Sequence, residues 1–336
     1  MKILLTGGAG YIGSHTCVAL LLAGHDVTIL DNFATSNIQV LSRIQSITSI
    51  RPDLVLGDVG DATLLHELFS VHKFDAIFHF AGKKSVADSV SEPIEYYRCN
   101  LSGTLNLINA MRGFGMRTLV FSSSATIYGA PETLPINEDV RFQPASPYGH
   151  SKAFVEQILA DVCQSDPTWR IASLRYFNPV GAHESGQLGE DPTAPPNNLL
   201  PYISEVAEGL RPFLNIFGND YPTCDGTGVR DYIHIMDLVS GHIRALHHIE
   251  KNQGLLRVNL GTGQGVSVLS MLRTFERVNH LRIPYQFAPR RFGDIASYWA
   301  DATKANDILN WRATRNLEDM CRDTWRWRLQ YRQSAQ

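Results

Sequence analysis

The amino-acid sequence predicts an α/β fold in which a doubly wound parallel sheet carries a smaller mixed α/β lobe. Short apolar runs alternate with helical periodicity over the first 180 residues, which is the pattern of strands joined by helical crossovers. A glycine-rich turn follows the first apolar run, and polar residues gather where the later runs end. Beyond residue 180 this alternation gives way to segments rich in Gly, Pro and Asn.

The first unit is a strand, a turn and a helix. Residues 2–6 form the apolar run, and three regularly spaced glycines then open the helix: Gly7, Gly10 and Gly13. Such glycines either serve packing alone or let the backbone approach a pyrophosphate at the helix N-terminus. The next strand ends at Asp31, whose carboxylate suits the ribose hydroxyls of NAD and repels the 2′-phosphate of NADP. This context favours a Rossmann-type NAD-binding domain over residues 1–180.

The alternation continues along the chain. Further strands are predicted at 54–56, 76–80, 118–121 and 170–176, with helical segments at 64–69, 93–111 and 147–162. Right-handed crossovers make such a sheet parallel, and ligands then bind beyond the carboxyl ends of its strands. Unusual polar residues lie at those ends: Asp31, Asp58, Gly82 to Lys84, Ser122 to Ser124, and Asn178.

Residues 181–336 are expected to form the smaller, substrate-binding lobe. Two long loops, 181–198 and 218–229, lack clear periodicity, and long loops in a compact enzyme are usually functional. The apolar region of about 235–262 is expected to return to the large domain.

Composition and charge argue against several classes of function. The chain has 336 residues, of which 44% are hydrophobic and 19% charged, as in soluble globular proteins. The net charge of −3 gives no reason to expect nucleic acid or a membrane as a partner. No histidine or cysteine spacing indicates a metal site. Five dispersed cysteines and an N-terminus without an export leader predict free thiols in a reducing cytoplasm.

A helix that starts at Ser146 carries the candidate chemistry. Ser146 is a hydroxyl N-cap and Pro147 suits the first helical position. Tyr148 and Lys152 then fall one turn apart on the apolar face. Either a core tyrosine packs beside a lysine that reaches solvent, or the ammonium stabilises an ionised phenol that exchanges protons near neutral pH. An NAD site in the same chain favours the second interpretation. Ser124 is then either part of a polar turn or a relay to a substrate hydroxyl.

Several segments resemble the extended short-chain dehydrogenases: residues 6–15, 122–129, 146–152 and 175–182. Within that group, the chain is similar to the UDP-glucose 4-epimerase family at residues 189–191, 196–199, 216–221, 225–234 and 298–301. The similarity extends to about residue 327. It implies reversible C4 epimerisation of UDP-glucose and UDP-galactose, with a tyrosine taking the proton from the sugar O4. The C4 hydride would be held on bound NAD while a transient 4-keto sugar turns over.

The resemblance also implies the site residue by residue. Tyr148 would be the catalytic base, Lys152 its partner and Ser124 the helper. The implied NAD contacts are Gly7, Gly10, Tyr11, Ile12, Gly13, Asp31, Asn32, Ser36, Asp58, Val59, Phe80, Ala81, Gly82, Lys84, Cys99, Ser122, Tyr148, Lys152 and Phe177. The implied UDP-sugar contacts are Ser124, Tyr148, Asn178, Asn198, Leu199, Asn215, Ile216, Phe217, Arg230, Arg291, Asp294 and Tyr298.

Two arginines and a phenylalanine have alternatives that the sequence leaves open. Arg230 and Arg291 either bind a diphosphate bidentately or make surface ion pairs with neighbours such as Asp231 and Asp294. Phe217 either stacks on the uracil or belongs to the core.

Three positions bear on how closely the family pattern applies. Cys99 stands where the family has an asparagine that touches the cofactor, and Phe292 replaces a residue that is usually acidic or small. Tyr298 stands where a bulky residue excludes N-acetylated sugars, so we expect little activity on those substrates.

Two rival functions have sequence discriminators. A 4,6-dehydratase needs an Asp-Glu pair after the strand-end serine or threonine, where this chain has Ala125 and Thr126. A non-catalytic NAD-sensing protein has no need of an inward-facing Tyr148–Lys152 pair. The family resemblance further suggests a homodimer built on helices near 93–111 and 147–162.

Overall fold

The computed structural model describes residues 1–191, 198–291 and 294–335, with side chains described to residue 331. The strands are β1 (Lys2–Thr6), β2 (Asp26–Asp31), β3 (Asp53–Leu56), β4 (Ala76–His79), β5 (Thr118–Ser124), β6 (Arg170–Tyr176), β7 (Asn178–Val180), β8 (Leu214–Phe217), β9 (Val229–Arg230), β10 (Tyr232–His234), β11 (Gly254–Leu260), β12 (Val266–Ser267), β13 (Tyr285–Ala288) and β14 (Ser297–Tyr298).

The α-helices lie between these strands and after the last of them. They are α1 (Tyr11–Leu22), α2 (Val40–Thr48), α3 (Ala62–Val71), α4 (Val86–Ser91), α5 (Pro93–Tyr97), α6 (Gly103–Gly113), α7 (Pro147–Ser165), α8 (Leu199–Ala207), α9 (Ile235–Ile249), α10 (Val268–Asn279), α11 (Thr303–Leu309) and α12 (Leu317–Ala335). Within the described ranges, none of them is both long enough and apolar enough to cross a lipid bilayer.

The main sheet confirms the predicted doubly wound α/β fold. In the described part of the chain it has seven parallel strands in the order β11-β6-β5-β4-β1-β2-β3. The order reverses between β1 and β4, and ligands bind such sheets at this point. Strand β11, which follows α9, pairs with β6 from Gly254 opposite Arg170 to Leu260 opposite Tyr176.

Helices cover both faces of the sheet. Successive side chains of a strand point to opposite faces, and in this sheet both sets are apolar and buried. Ile3 and Leu5 face a core that also includes residues of α1, α2 and α9. Leu4 and Ile77 face the opposite core, beneath α3, α6 and α7. The sheet is thus buried on both sides, which leaves its strand ends as the place for ligands.

Two local predictions about helices are confirmed. The predicted start of α7 is confirmed, since the Ser146 hydroxyl accepts from the Gly149 N–H at 3.1 Å and Pro147 is the first helical residue. The helical region predicted at 93–111 is confirmed, with a π-helical turn from Arg98 to Ser102 between α5 and α6 that the sequence analysis did not predict. Thr104, at the start of α6, donates to the Asn100 carbonyl of that turn at 2.6 Å. Such turns occur frequently at functional sites.

In the described part of residues 181–336, short sheets and several helices lie outside the main sheet. Strand β8 pairs with β13, and β9 lies between β12 and β14. Helices α8, α10 and α12 pack on one core with β8 and β10. An isolated bridge joins Ile136 to Ala300, so the chain after β14 is attached to the loop that follows β5.

Candidate active site

The glycine turn after β1 leaves no space for side chains. Gly7 has φ +69°, and a Cβ there would lie 2.6 Å from the Ala81 nitrogen. A Cβ on Gly13 would lie 2.4 Å from the Gly7 carbonyl oxygen. Helix α1 then begins at Tyr11 with Gly10 as an N-cap that makes no side-chain bond. The first-turn N–H groups therefore face the turn, in the arrangement that binds a dinucleotide pyrophosphate.

A group of polar residues at the ends of β2 and β3 fits the adenosine side of such a ligand. Asp31 accepts from the Ala9 N–H at 2.9 Å and from the Ser36 hydroxyl at 3.1 Å. Asn32 donates to the Asp58 carboxylate at 2.8 Å. The structure brings these predicted cofactor residues together, with the buried Val59 beside them. A carboxylate in this position suits ribose hydroxyls and disfavours a 2′-phosphate.

The segment after β4 links the two predicted ligand sets through a residue that the sequence analysis did not select. The Phe80 and Ala81 N–H groups both donate to the Thr6 carbonyl at 2.9 Å. Lys84 reaches the Glu190 carboxylate at 3.1 Å, and the Asn198 amide donates to the same oxygen at 2.9 Å. Glu190 therefore joins a predicted cofactor residue to a predicted substrate residue.

The asparagine next to Cys99 holds the loop that contains Gly82 and Lys84. Asn100 is buried, accepts from the Lys83 N–H at 2.9 Å and donates to the Ser151 hydroxyl at 3.0 Å. Cys99 is half-buried, and burial raises the pKa of its thiol. Asn100 thus links the π-helical turn to this loop and to α7.

Tyr148 and Lys152 both face inward, as the periodicity of α7 predicts. Tyr148 is 9% exposed and Lys152 is 5% exposed. The Lys152 ammonium donates to the Ser122 carbonyl at 2.7 Å and lies 4.9 Å from the centre of the Phe121 ring. The interpretation in which this lysine reaches solvent is wrong, since a hydrogen bond to β5 holds its ammonium inside.

Burial dominates the electrostatics of this pair. It raises the pKa of Tyr148, and a hydrogen bond from Ser124 acts in the opposite direction. Burial lowers the pKa of Lys152 to about 8, although the charges of Cys99 and Glu156 act to raise it. The ammonium lies 5.9 Å from the centre of the Tyr148 ring. In the protein chain alone, the charge of Lys152 therefore does not offset the effect of burial on the phenol.

The Ser124 hydroxyl is positioned as a hydrogen-bond donor. It accepts from the Thr126 N–H at 3.2 Å and from the Thr126 hydroxyl at 3.0 Å. Its own proton is thus directed to another acceptor, and a donor favours the ionised form of a phenol. Ser124 therefore caps the short 3₁₀-helical turn at residues 125–128, while its hydroxyl proton serves Tyr148.

A buried ion pair one turn further along α7 ties the helix to the sheet. Glu156 accepts from Arg175 Nη2 at 2.7 Å and Nε at 3.0 Å. It also accepts from the Ser123 hydroxyl at 2.6 Å. Arg175 extends the network by donating to the Tyr128 hydroxyl at 2.7 Å. Sequence analysis did not identify this pair, because its members lie 19 residues apart and form no recognisable motif.

Tyr298 brings the predicted smaller lobe to the candidate catalytic residues. Its hydroxyl donates to the Ala125 carbonyl, next to Ser124, and its ring centre lies 5.4 Å from that of Phe177. It lies opposite Arg230 in the register of β14 and β9. Burial raises the pKa of Tyr298, so its hydroxyl is a neutral hydrogen-bond donor.

The two arginines differ in their surroundings. Arg291 is exposed and pairs with Asp294 at 2.9 Å. Arg230 is half-buried and donates to the Val229 carbonyl at 2.9 Å. The carboxylate of Asp231 instead accepts from backbone N–H groups of 262, 263 and 300.

The outer face of β8 presents the other predicted substrate residues. Leu214 and Ile216 are buried, whereas Asn215 and Phe217 are exposed. Because side chains alternate along a strand, Phe217 lies on the exposed face of β8. Phe217 is 38% exposed and lies 4.8 Å from the Arg291 guanidinium, which excludes the core interpretation. Asn178 and Leu199 are half-buried at the starts of β7 and α8. Phe292 lies outside the described residues.

Comparison with known proteins finds relatives over nearly the whole chain. A family model described as GDP-mannose 4,6 dehydratase matches residues 4–324. The UDP-glucose 4-epimerase of Bacillus subtilis (strain 168) is 51% identical over 327 residues, which are 97% of this chain and 96% of that protein.

Two solved structures share the fold closely. UDP-glucose-4-epimerase from Stenotrophomonas maltophila, with bound NAD and formylated UDP-arabinopyranose, has a TM-score of 0.97 and 47% identity over 99% of both chains. UDP-glucose 4-epimerase from Bifidobacterium longum, in complex with NAD+ and UDP, has a TM-score of 0.95 and 46% identity over 98% of both chains.

Proposed function

The chain belongs to the UDP-glucose 4-epimerase family, and we propose that Tyr148, Lys152 and Ser124 catalyse its reaction. The protein is an NAD-dependent enzyme that reversibly epimerises UDP-glucose and UDP-galactose at C4. The observation that carries the residue assignment is a buried phenol that meets a serine donor beside an internal ammonium. Ser124 ends β5, and the Lys152 ammonium on α7 reaches the carbonyl of Ser122 in the same strand. The group therefore lies at the carboxyl end of the sheet, where doubly wound sheets bind ligands.

Residues 1–180, with β11 added to their sheet, would bind NAD. The glycine turn and the N-terminus of α1 suit the pyrophosphate, while Asp31 and Asp58 suit the adenosine ribose. Bound NAD supplies the acceptor and donor of the C4 hydride. Residues 181–336 would form the UDP-sugar lobe, in which Arg230 and Arg291 are suited to the diphosphate and Phe217 to the uracil.

Tyr148 acts as the general base in this proposal. Its phenolate takes the proton of the sugar O4 hydroxyl, and the same phenol returns the proton after the 4-keto sugar has turned over. Ser124 donates a hydrogen bond to the phenolate, while the Lys152 ammonium supplies a nearby positive charge. The burial of these groups strengthens both interactions because the local dielectric is low.

A single substitution tests the base. Tyr148→Phe removes only the phenol oxygen, and we expect the conversion of UDP-glucose to UDP-galactose to fall by about 10²–10⁴-fold. Assays contain no added NAD and are corrected for the NAD content of each preparation. Tyr202→Phe is the matched control, since Tyr202 packs on Arg211 at 4.8 Å, and its activity should match the wild type. Unchanged turnover in Tyr148→Phe would contradict the assignment.

The turn after β5 favours epimerisation over dehydration. Ala125 and Thr126 occupy the positions where a 4,6-dehydratase needs its additional acid and base, and the Ala125 carbonyl is engaged by Tyr298. We expect no 4-keto-6-deoxy product from UDP-glucose when the products are separated by mass.

Tyr298 is proposed to limit the substrates to sugars without an N-acetyl group. It is buried between the Ala125 carbonyl and the Phe177 ring, so a larger C2 substituent would meet a fixed side chain. UDP-N-acetylglucosamine should therefore be a poor substrate for the purified enzyme. Turnover of that substrate comparable to that of UDP-glucose would refute the proposal.

An exposed apolar surface supports the proposed homodimer. It comprises Val90 of α4, Ile94 of α5, Leu105 of α6 and Phe154 of α7, and Ile94 alone is 82% exposed. Helices α4, α5 and α7 contact one another, and exposed apolar side chains on packed helices are typical of an interface. We expect light scattering to give the mass of two chains, and Ile94→Asp to give that of one. A wild-type protein of one chain's mass would refute the dimer.

The cytoplasm is proposed as the location of the enzyme. All five cysteines are free thiols, and Cys17 and Cys321 are buried. A reducing compartment keeps such thiols unpaired. Cell fractionation with an antibody against the chain tests this proposal, and recovery of the protein outside the cytoplasm would contradict it.

A further inference from the structure

His242 and Tyr176 form a buried hydrogen-bonded pair that the proposed proton transfer does not use. Tyr176 is the last residue of β6 and lies opposite Ser124 in the sheet. His242 is fully buried on α9, and its Nε2 contacts the Tyr176 hydroxyl. The pair therefore joins α9 to the end of β6, which lies beside the end of β5 that carries Ser124.

The direction of this hydrogen bond follows from the second contact of the imidazole. His242 Nδ1 lies 2.8 Å from the Leu238 carbonyl oxygen. A carbonyl only accepts, so Nδ1 carries the proton and Nε2 of the neutral ring is an acceptor. Burial lowers the pKa of His242 to about 4, which agrees with a neutral ring. Tyr176 therefore donates its hydroxyl proton to His242.

On its other side, the Tyr176 phenol meets the residue that holds Lys152. Burial raises the pKa of Tyr176, and a hydrogen bond with the Ser122 side chain lowers it. Because the phenol proton points to His242, its oxygen is left to accept from the Ser122 hydroxyl. The carbonyl of the same serine accepts from the Lys152 ammonium at 2.7 Å. The contacts thus run from α9 through Tyr176 and Ser122 to Lys152.

The same imidazole also supports the aromatic residue after β4. Its ring centre lies 5.2 Å from that of Phe80, a predicted cofactor contact, and 5.1 Å from that of Tyr176. His242 is therefore packed behind the cofactor side of the crevice as well as behind the lysine.

We propose that His242 is a positioning residue, which accepts a hydrogen bond from the Tyr176 hydroxyl. This bond fixes the position of Ser122, and therefore of the carbonyl to which the Lys152 ammonium donates. This inference rests on the proposed roles of Tyr148 and Lys152. A fixed ammonium matters because small displacements of catalytic groups lower turnover strongly. Neither His242 nor its ring needs to touch the substrate for this effect.

Four variants test whether the pair acts as a unit. His242→Leu removes the acceptor, Tyr176→Phe removes the donor, and the double variant removes both. We expect kcat of His242→Leu to fall about 10–100-fold, with KM changed less than about twofold. The double variant should lose no more than the worse single variant, because removing both partners leaves no unsatisfied group. His242→Gln should restore part of kcat, since its amide oxygen is an acceptor.

Ile249→Val is the matched control on the same helix, because Ile249 is buried in the core and remote from Ser122 in sequence. We expect it to lower the melting temperature without changing kcat. Bound NAD per chain and melting temperature are measured for every variant. Normal kcat in folded, NAD-loaded His242→Leu, or effects of the two single substitutions that multiply in the double variant, would overturn the inference. An inactive wild type would instead contradict the proposed function.

Discussion

Lys152 of α7 and Arg175 of β6 are both buried cations. Of these two, in the described part of the chain, Arg175 is bonded to a carboxylate and Lys152 is not. Arg175 makes a bidentate contact with Glu156. Lys152 has a carbonyl oxygen and an aromatic ring instead. Burial works against the charged form of both residues. The hydrogen bonds and charge of Glu156 nevertheless raise the pKa of Arg175, whereas the pKa of Lys152 falls to about 8.

The difference separates a structural cation from a catalytic one. A buried ion pair with satisfied hydrogen bonds stays charged and orders the groups around it. A buried ammonium without a carboxylate is costly, and such groups concentrate at functional sites. Glu156 is one turn from Lys152, yet its oxygens are bonded to Arg175 and Ser123. The Lys152 ammonium thus remains free to act on an anion that forms at Tyr148.

The largest effect that we expect is on turnover in Lys152→Met. Removing the ammonium leaves the phenolate without its nearby positive charge, so kcat should fall by about 10²–10⁴-fold. Steady-state kinetics at saturating UDP-glucose measures this, with NAD content determined in parallel. If folded, NAD-loaded Lys152→Met turned over UDP-glucose as fast as the wild type, Lys152 would not be a catalytic cation.

Arg175→Met should reduce stability rather than chemistry. It leaves Glu156 as a buried charge without its bidentate partner, and we expect a loss of about 3–5 kcal/mol in the free energy of unfolding. Urea denaturation followed by circular dichroism measures the change. A stability equal to that of the wild type would show that Arg175 does not anchor α7.

Lys152→Met should also change the pH dependence of stability. The pKa of Lys152 is 10.5 in the unfolded chain and about 8 in the folded chain. Between these values the unfolded state binds more protons, so the contribution of this residue rises with pH and its cost is greatest below about pH 8. The variant should gain up to about 3 kcal/mol at pH 7. Urea denaturation at pH 7 and pH 9.5 tests this, and a gain of equal size at both would contradict it.

The smallest effect distinguishes two adjacent serines. Ser123→Ala removes a hydrogen bond to the Glu156 carboxylate and should cost about 1.5–3 kcal/mol of stability while kcat stays within about twofold. Ser124→Ala removes the donor to Tyr148 and should lower kcat with little change in stability. Kinetics and denaturation are measured on both variants. The reverse pattern would show that the structural and catalytic sides of the strand end are misassigned.

Local sequence was sufficient for the elements and for much of the candidate site. The N-cap Ser146, the proline after it and the periodicity of the following residues indicated the start of α7 and its inward face. The glycine spacing after β1 and the acid at the end of β2 indicated the dinucleotide turn, because backbone conformation and ligand charge constrain those positions directly. The bounds of β6 agree with the predicted strand at 170–176.

The tertiary structure decided the features that depend on distant partners. The π-helical turn at Arg98–Ser102 contains Asn100, whose amide contacts are Lys83 and Ser151. His242 meets Tyr176 across 66 residues. The environment of Lys152 depends on which oxygens of Glu156 are already bonded. A sequence pattern specifies which face of an element is buried, but not which polar groups meet there, because such pairing is fixed only when strands and helices pack.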